Sequence, residues 1–479
     1  MTVGSASYRD PENAAVVVDG AWYRVAAPES AAALTVLRES ELYAALVAEG
    51  SLVRFDEAEQ PVAQVALNLH SAATGRDPVA GSRVFAVETV DLITYPWEWP
   101  NSLLGAAGLL TLDIRARLLE IGLDLKDASA FNIQFRGMRP VLIDLGSIQS
   151  WRPNPSWNAA RQYIEHFVNP LAVGAGDTVT AADAWELSHR RGLRSEVARS
   201  IMPGGQRRRP SLWVLQASTR PVAKHEPVET KYAEQAKRDS GLALRATQSL
   251  TRKLRKQTLR VSGADHTSTW QDYGSRDHYG TDELQHKLEL TRDFIGAAGR
   301  GRLVLDIGGN DGLAAADLAQ QVGARVIVLD PDAGALDVLS RSLGATPEIL
   351  GQVTALYGDL TNLTAASGLL DGEFAAFTDR VRPSAVLCQA VLHHIVITQG
   401  VPMALAVQAL ARFGAPTLVE FATPEDPKVA ILLSQIPNWT GNYSTESLID
   451  ALNEHYTDVA VVGRTSQTRV VVTTGNPRA

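Results

Sequence analysis

The chain of 479 residues contains one cysteine, Cys388, and no apolar run approaching the ~20 residues that a membrane-spanning helix needs. A single thiol excludes an intrachain disulfide and a zinc site built from cysteines, and it fits a reducing compartment. Basic charge is also in short supply. Lys and Arg number 45 against 53 Asp and Glu, a net charge of -8, which argues against a protein that wraps the polyanionic backbone of nucleic acid. The first residues show no basic segment followed by an apolar stretch, so the expected location is cytoplasmic, without membrane insertion.

What is present is ordinary globular material, 45% hydrophobic and 20% charged, in a chain longer than one core usually supports. Residues 1–235 mix short apolar strands, as at 14–18, with helical stretches, as at 40–48, and read as an α+β domain. Residues 236–285 turn polar and basic, with Arg245, Arg252, Lys253, Arg255, Lys256 and Arg260, and read as a helical linker and lid. From residue 286 onward β-rich runs at 303–307, 325–330, 353–357, 384–388 and 416–421 alternate with helical ones. Such alternation specifies βαβ units and a mostly parallel, doubly wound α/β sheet covered on both faces. The last runs, 458–462 and 468–473, are close enough to form a hairpin, which makes the last strand antiparallel.

The strongest chemical signal is the stretch 305–312, containing Asp306, Gly308, Gly309, Asn310 and Gly312, where the first of these strands hands over to a helix. Glycines there allow a tight turn and close approach of backbone to ligand. A dinucleotide fingerprint reads G-x-G-x-x-G and holds a pyrophosphate, whereas here an acid precedes the first glycine and the spacing is D-x-G-x-x-x-G. That acid repels an anion and suits a ligand bearing an ammonium and a sulfonium, as S-adenosylmethionine does. Asp330, with Asp332 as its alternative, stands at the end of the second strand, where an acid accepts hydrogen bonds from a ribose diol. Asp359 and Leu360 follow the third strand and are candidates for the adenine, and Gln389, directly after the fourth, is a further cofactor-binding candidate. Asp residues at strand ends also cap helices; the shared register of three of them with the glycines favours the cofactor reading.

The region from Ser268 to the C-terminus resembles the class I S-adenosylmethionine-dependent methyltransferases. More narrowly, a leader containing Trp270 and Tyr273, a strand exit Ala390-Val-Leu-His393-His394, Val401-Pro402 and Leu418-Val-Glu420-Phe421 resemble a family of bacterial methyltransferase-domain proteins related to host-specific nodulation proteins. Gly309 departs from these relatives, which usually carry Cys. Trp270, Tyr273 and Tyr279 are candidates to close over the cofactor through aromatic area and sulfonium–π attraction, or to pack ordinarily.

Methyl transfer to a hydroxyl needs alignment and removal of a proton. His393 and His394, at the carboxyl edge of the sheet, are the general-base candidates, and Glu420 is a candidate to bind substrate or assist the base. Adjacent helical positions do not face the same pocket, so one histidine serves at most.

A second constellation lies in the N-terminal half: Asp127, Asn132 five residues on, and Asp144 with a glycine two residues later. This spacing resembles the catalytic loop and metal-binding aspartate of protein-kinase-like phosphotransferases, in which Asp127 accepts a hydroxyl proton and Asn132 and Asp144 hold magnesium. The match is degenerate. Leu125-Lys126 replaces His-Arg, no G-x-G-x-x-G precedes the loop, and no lysine at all precedes Lys126. The stretch Thr94-Tyr-Pro-Trp-Glu-Trp99 also looks family-like. Basic residues Arg207, Arg208 and Arg209 read as solvated surface.

The sequence therefore leads to a methyltransferase that uses S-adenosylmethionine on a small-molecule or glycan-like acceptor, with the N-terminal domain selecting the acceptor. No metal is expected in the C-terminal site, and magnesium or a nucleotide belongs only to the kinase-like reading. The alternatives are a kinase-like nucleotide-binding or phosphotransfer protein with an S-adenosylmethionine-sensing domain, and a non-catalytic scaffold.

Overall fold

The computed structural model describes residues 2–3, 10, 12–153, 157–176, 179–202, 240–263, 280–296, 301–436 and 439–478. Trp270, Tyr273, Tyr279 and Arg207, Arg208 and Arg209 lie outside the described residues. The chain forms two compact units, the first comprising Met1–His266 with Gly368–Phe374 and the second Thr267–Ser367 with Ala375–Ala479.

The first unit is α+β. Strands β1 (Thr2–Val3), β2 (Ala15–Val18), β3 (Ala21–Ala26), β4 (Phe55–Glu57) and β5 (Arg83–Val87) form an antiparallel sheet of order β1-β2-β3-β5-β4. In β2 the side chains alternate, and Val16 and Val18 turn inward. They pack with Val25, Val84 and Ala66, the last on the helix Gln60–Thr74, where a small side chain lets helix and sheet approach. Each fully buried Val or Leu of such a core contributes about 1.5–3 kcal/mol.

The segment 236–285 does not stand apart as a linker. Its helix Ser240–Ser262 buries Ala243, Thr247, Thr251, Leu254, Thr258 and Val261, a stripe at helical spacing, while the basic residues fall on the opposite face. That stripe packs on the helix Asn101–Glu120, where a Cβ on Gly105 would lie 2.5 Å from Ser262 Cβ. Arg115, fully buried on the latter helix, donates to Thr251 at 2.6 Å and pairs with Asp124 at 2.7 Å. Sequence composition read the basic face and missed the neutral stripe. The second helix of the segment, Thr281–Ile295, belongs to the second unit.

The second unit holds a seven-stranded sheet of β10 (Leu303–Ile307), β11 (Arg325–Asp330), β12 (Val353–Tyr357), β13 (Ala385–Gln389), β14 (Thr417–Ala422), β15 (Ala460–Ser466) and β16 (Arg469–Thr473). Strands β6 (Leu123–Leu125), β7 (Ile133–Arg136), β8 (Arg139–Leu142) and β9 (Ile148–Ser150) form two small two-stranded sheets of the first unit. The seven-stranded order is β12-β11-β10-β13-β14-β16-β15. All pairs are parallel except those of β16, which runs antiparallel between β14 and β15. The last strand of the sequence is thus antiparallel, as the hairpin implies, but β15 is the edge. Every residue of β14 and five of six in β11 are buried, the mark of strands covered on both faces. Cys388, in β13, is fully buried, and burial pushes its thiol up to about 12.

The chain order proceeds outward from β10 through β11 to β12, then returns to β13 on the other side. This is the topological switch of an open α/β sheet, and it leaves a crevice at the carboxyl ends of β10 and β13.

Candidate active site

Asp306 is the next-to-last residue of β10 and is 2% exposed. Its Oδ2 is buried with no hydrogen-bond partner. Burial pushes the carboxyl up to about 7; the Lys287 ammonium opposes this, while Asp330 and Asp311 add to it. A buried carboxylate oxygen without a donor is costly unless a ligand supplies one. Gly308, with φ +68°, turns the chain directly after β10, and a Cβ there would meet Val391 Cγ2 at 2.3 Å. A Cβ on Gly309 would lie 2.6 Å from Asp306 Oδ2, so the absence of a side chain at 309 makes the room this carboxylate occupies. Asn310 takes φ +50°, and Gly312, at φ +72°, precedes the helix Leu313–Asp317.

Asp330 closes β11 and ties the first loop to the second: Oδ2 accepts from the Asn310 amide and Oδ1 from the Asp332 amide, both at 2.8 Å. Burial pushes it up to about 6. Any diol at this position shares the carboxylate with those two amides. Asp332 caps the helix Ala333–Gly344 by accepting from the Ala335 amide at 3.0 Å. Asp359 is half-buried and accepts from the Thr361 amide at 2.8 Å and from Gln399 Nε2 at 2.9 Å; Leu360 beside it is buried. Gln389, at the end of β13, donates to Thr291 Oγ1 at 2.8 Å.

The three candidate catalytic residues differ. Glu420 is fully buried opposite Gln389 in the ladder; Oε2 receives Lys287 Nζ at 2.8 Å and Oε1 receives the Thr465 hydroxyl. Although burial acts against it, Lys287 and Arg469 hold its carboxyl below the usual range. Both oxygens are thereby engaged, which makes Glu420 an anchor for Lys287 and a poor base. His393 and His394 follow β13 with ring centroids 4.1 Å apart. His393 is 4% exposed, its Nδ1 has no hydrogen-bond partner, and burial with the neighbouring His394 pushes it down to about 3. His394 is also lowered, by burial and then Lys428. Burial thus favours the neutral form of both rings, and a base held as low as His393 takes up a proton weakly. Sequence reasoning missed Lys287, Thr465 and the buried Asp426–Arg469 pair at 3.1 Å; one readable trace is the i, i+4 spacing of Lys287 and Thr291 on one helix face.

In the first unit, the short strand β6 and the β7–β8 hairpin bring Asp127, Asn132 and Asp144 together. Asp127 accepts from the Ser129 amide at 2.9 Å, and its carboxyl is raised by burial and by Asp144. Asp144, however, already has a cation: Arg24 on β3 reaches its Oδ1 at 2.8 Å and donates to the Asn13 carbonyl at 2.6 Å. Lys126 pairs with Asp10 at 3.3 Å. Among the described residues no group of three or more His, Cys, Asp or Glu is arranged to hold a metal ion. The family-like stretch is a clasp on β7, with the Thr94 amide donating to Gln134 Oε1 at 2.8 Å and Trp99 Nε1 to Thr94 Oγ1 at 2.8 Å. Behind the loop, Phe131 stacks on Phe374 with centroids 5.5 Å apart and meets Trp185 edge-on.

No family model matches the chain. Among solved structures it is similar to magnesium protoporphyrin IX methyltransferase (ChlM) from Synechocystis PCC 6803 with bound SAH. That likeness has 18% identity and a TM-score of 0.30, and it covers 41% of this chain and 84% of that one. It is similar also to WbdD, a bifunctional kinase-methyltransferase, at 20% identity and a TM-score of 0.30, covering 43% of this chain and 41% of WbdD. In sequence the chain is similar to nodulation protein NoeA of Rhizobium meliloti (strain 1021), with 27% identity over 440 residues. That similarity takes in 89% of this chain and 86% of NoeA, and so includes residues of both units.

Proposed function

We propose that the protein is an S-adenosylmethionine-dependent methyltransferase whose acceptor is a small molecule or glycan-like compound, with the first unit selecting that acceptor. The observation that carries this reading is Asp306: a buried acid with an unpartnered oxygen, behind a glycine turn, at the switch point of a doubly wound sheet. That arrangement fits a ligand with an ammonium group, and the methyltransferases among the similar structures, ChlM with bound SAH included, agree with it. In this reading Asp330 serves the ribose and Asp359 with Leu360 the base. S-adenosylmethionine supplies an electrophilic methyl on sulfur; the chain's task is to orient the acceptor and receive its proton. His394 is the remaining base candidate, with Glu420 acting through Lys287. No described helix is long and apolar enough to cross a membrane, and a cytoplasmic location remains our expectation.

The test is calorimetric titration with S-adenosylmethionine, S-adenosylhomocysteine and magnesium-ATP, repeated on Asp306→Asn. Micromolar binding of the first two, lost in the variant, supports the reading; binding of magnesium-ATP alone sinks it. The second reading, phosphotransfer, draws on the convergence of Asp127, Asn132 and Asp144, and the Arg24–Asp144 pair weighs against it.

A further inference from the structure

The acid that follows β12 already holds a donor from another segment. Asp359 Oδ1 accepts from the Thr361 amide at 2.8 Å, and Oδ2 accepts from Gln399 Nε2 at 2.9 Å. Gln399 stands directly after the turn His394–Thr398, and its backbone N–H donates to the His394 carbonyl at 3.0 Å. The other end of its carboxamide is used as well: the one proton of the Thr361 hydroxyl is shared between Asp359 Oδ1 and Gln399 Oε1, each at 2.9 Å. Gln399 is exposed, and ordering such a side chain costs rotamer freedom comparable with what one hydrogen bond contributes in water. A charge-assisted bond from Nε2 to a carboxylate offsets that cost. A primary carboxamide presents planar N–H groups, as the exocyclic amine of adenine does.

Resting on the cofactor reading above, in which Asp359 serves the base, we infer that Gln399 is a specificity-determining residue: its carboxamide holds the position on Asp359 Oδ2 that the adenine amine takes on binding. The base then exchanges one donor for another instead of adding a hydrogen bond, so Asp359 contributes little net preference for an amine over a carbonyl. Gln399 thereby tempers the recognition that a freely accepting carboxylate would give. Because the same residue closes the turn that begins at His394, the exchange takes place one backbone hydrogen bond away from the remaining base candidate.

The experiment compares two ligands on the full chain by calorimetry: S-adenosylhomocysteine, and S-inosylhomocysteine, in which a carbonyl replaces the adenine amine. In the wild type the two differ by about fivefold or less. Gln399→Ala tightens S-adenosylhomocysteine about three- to tenfold and leaves S-inosylhomocysteine unchanged, so that the ratio widens. Gln399→Met, which keeps the length of the side chain and loses the donor, does the same. Weaker binding of S-adenosylhomocysteine in both variants overturns the inference and makes Gln399 a support for Asp359; a ratio that stays at its wild-type value overturns it too. A wild type that binds neither ligand overturns the cofactor reading itself, and this inference with it.

Discussion

Each unit of the molecule gathers aspartates at one place, and the two gatherings are built on opposite plans. In the first unit two of the acids are met by the chain's own cations, Asp144 by Arg24 and Asp10 by Lys126, while Asp127 between them is held by the Ser129 amide. In the second, Asp306 keeps a buried oxygen open, and Asp330 is satisfied only by backbone amides that belong to the loops it ties together. The difference teaches that acid spacing in a sequence marks where charge is concentrated and leaves open whether the charge is spent internally or kept for a ligand. One cation from a distant strand decides it. Arg24 lies 120 residues before Asp144 in the sequence numbering, on β3.

The sharpest break in this comparison comes from Asp306→Asn, for which binding and stability move in opposite directions. Calorimetry is expected to show loss of S-adenosylmethionine affinity of about a hundredfold or more. The folded carboxyl is raised to about 7, above its unfolded value near 4, so between those pH values the native state holds more protons than the unfolded one. Stability therefore falls as pH rises through this window, and the full penalty stands above about 7. Asn removes that penalty. Denaturant unfolding at pH 8 is expected to show the variant more stable than wild type by roughly 2–4 kcal/mol, with the advantage vanishing below about pH 4. A pH-independent difference would break the account. By the same linkage, binding of the cation to the wild type releases a proton below pH 7, measurable as a buffer-dependent enthalpy.

Next in size is Arg24→Ala, which leaves Asp144 without its cation. Thermal unfolding is expected to show a loss of about 1–3 kcal/mol, largely restored by adding Asp144→Asn. Millimolar magnesium is expected to raise the melting temperature of Arg24→Ala and to leave the wild type unmoved. An equal response in both would erase the contrast between the two sites. Gly309→Cys comes third. The new Cβ, 2.6 Å from Asp306 Oδ2, forces that side chain from its place, and affinity is expected to drop about tenfold while circular dichroism stays native. The smallest effect belongs to Asp359→Asn, half-buried and already engaged by Thr361 and Gln399; a change of about fivefold or less in affinity is expected.

The second unit was legible because its strands are buried on both faces. The runs at 303–307, 325–330 and 353–357 coincide with β10, β11 and β12; β13, β14 and β16 differ by one residue at one or both ends, and β15 starts two residues late and runs four residues further than expected. Continuous Val, Ile and Leu leave little room for another assignment. The helix Ser240–Ser262 reads as linker in the sequence because most of its buried stripe is Ala, Thr and Gln, with Leu254 and Val261 the only large apolar residues in it, and hydropathy hardly separates such a stripe from surface. The candidate acids Asp306 and Asp359 announced themselves through the glycines beside them. Lys287 and Arg24 did not, since a lone cation on an amphipathic helix or short strand looks like any solvated residue until the fold brings its partner near.

The solitary thiol described in β13 has a practical consequence. Cys388 sits in the same strand pair as Asp306, sealed from water and held as a thiol well above neutral pH. A soluble alkylating reagent reaches it only when the centre of the sheet opens, so the rate of its labelling is a clock for that opening, with no other sulfhydryl in the chain to confuse the reading. Ligand that binds at the ends of β10 and β13 holds the sheet shut and slows the clock, which turns an unmodified protein into its own occupancy gauge.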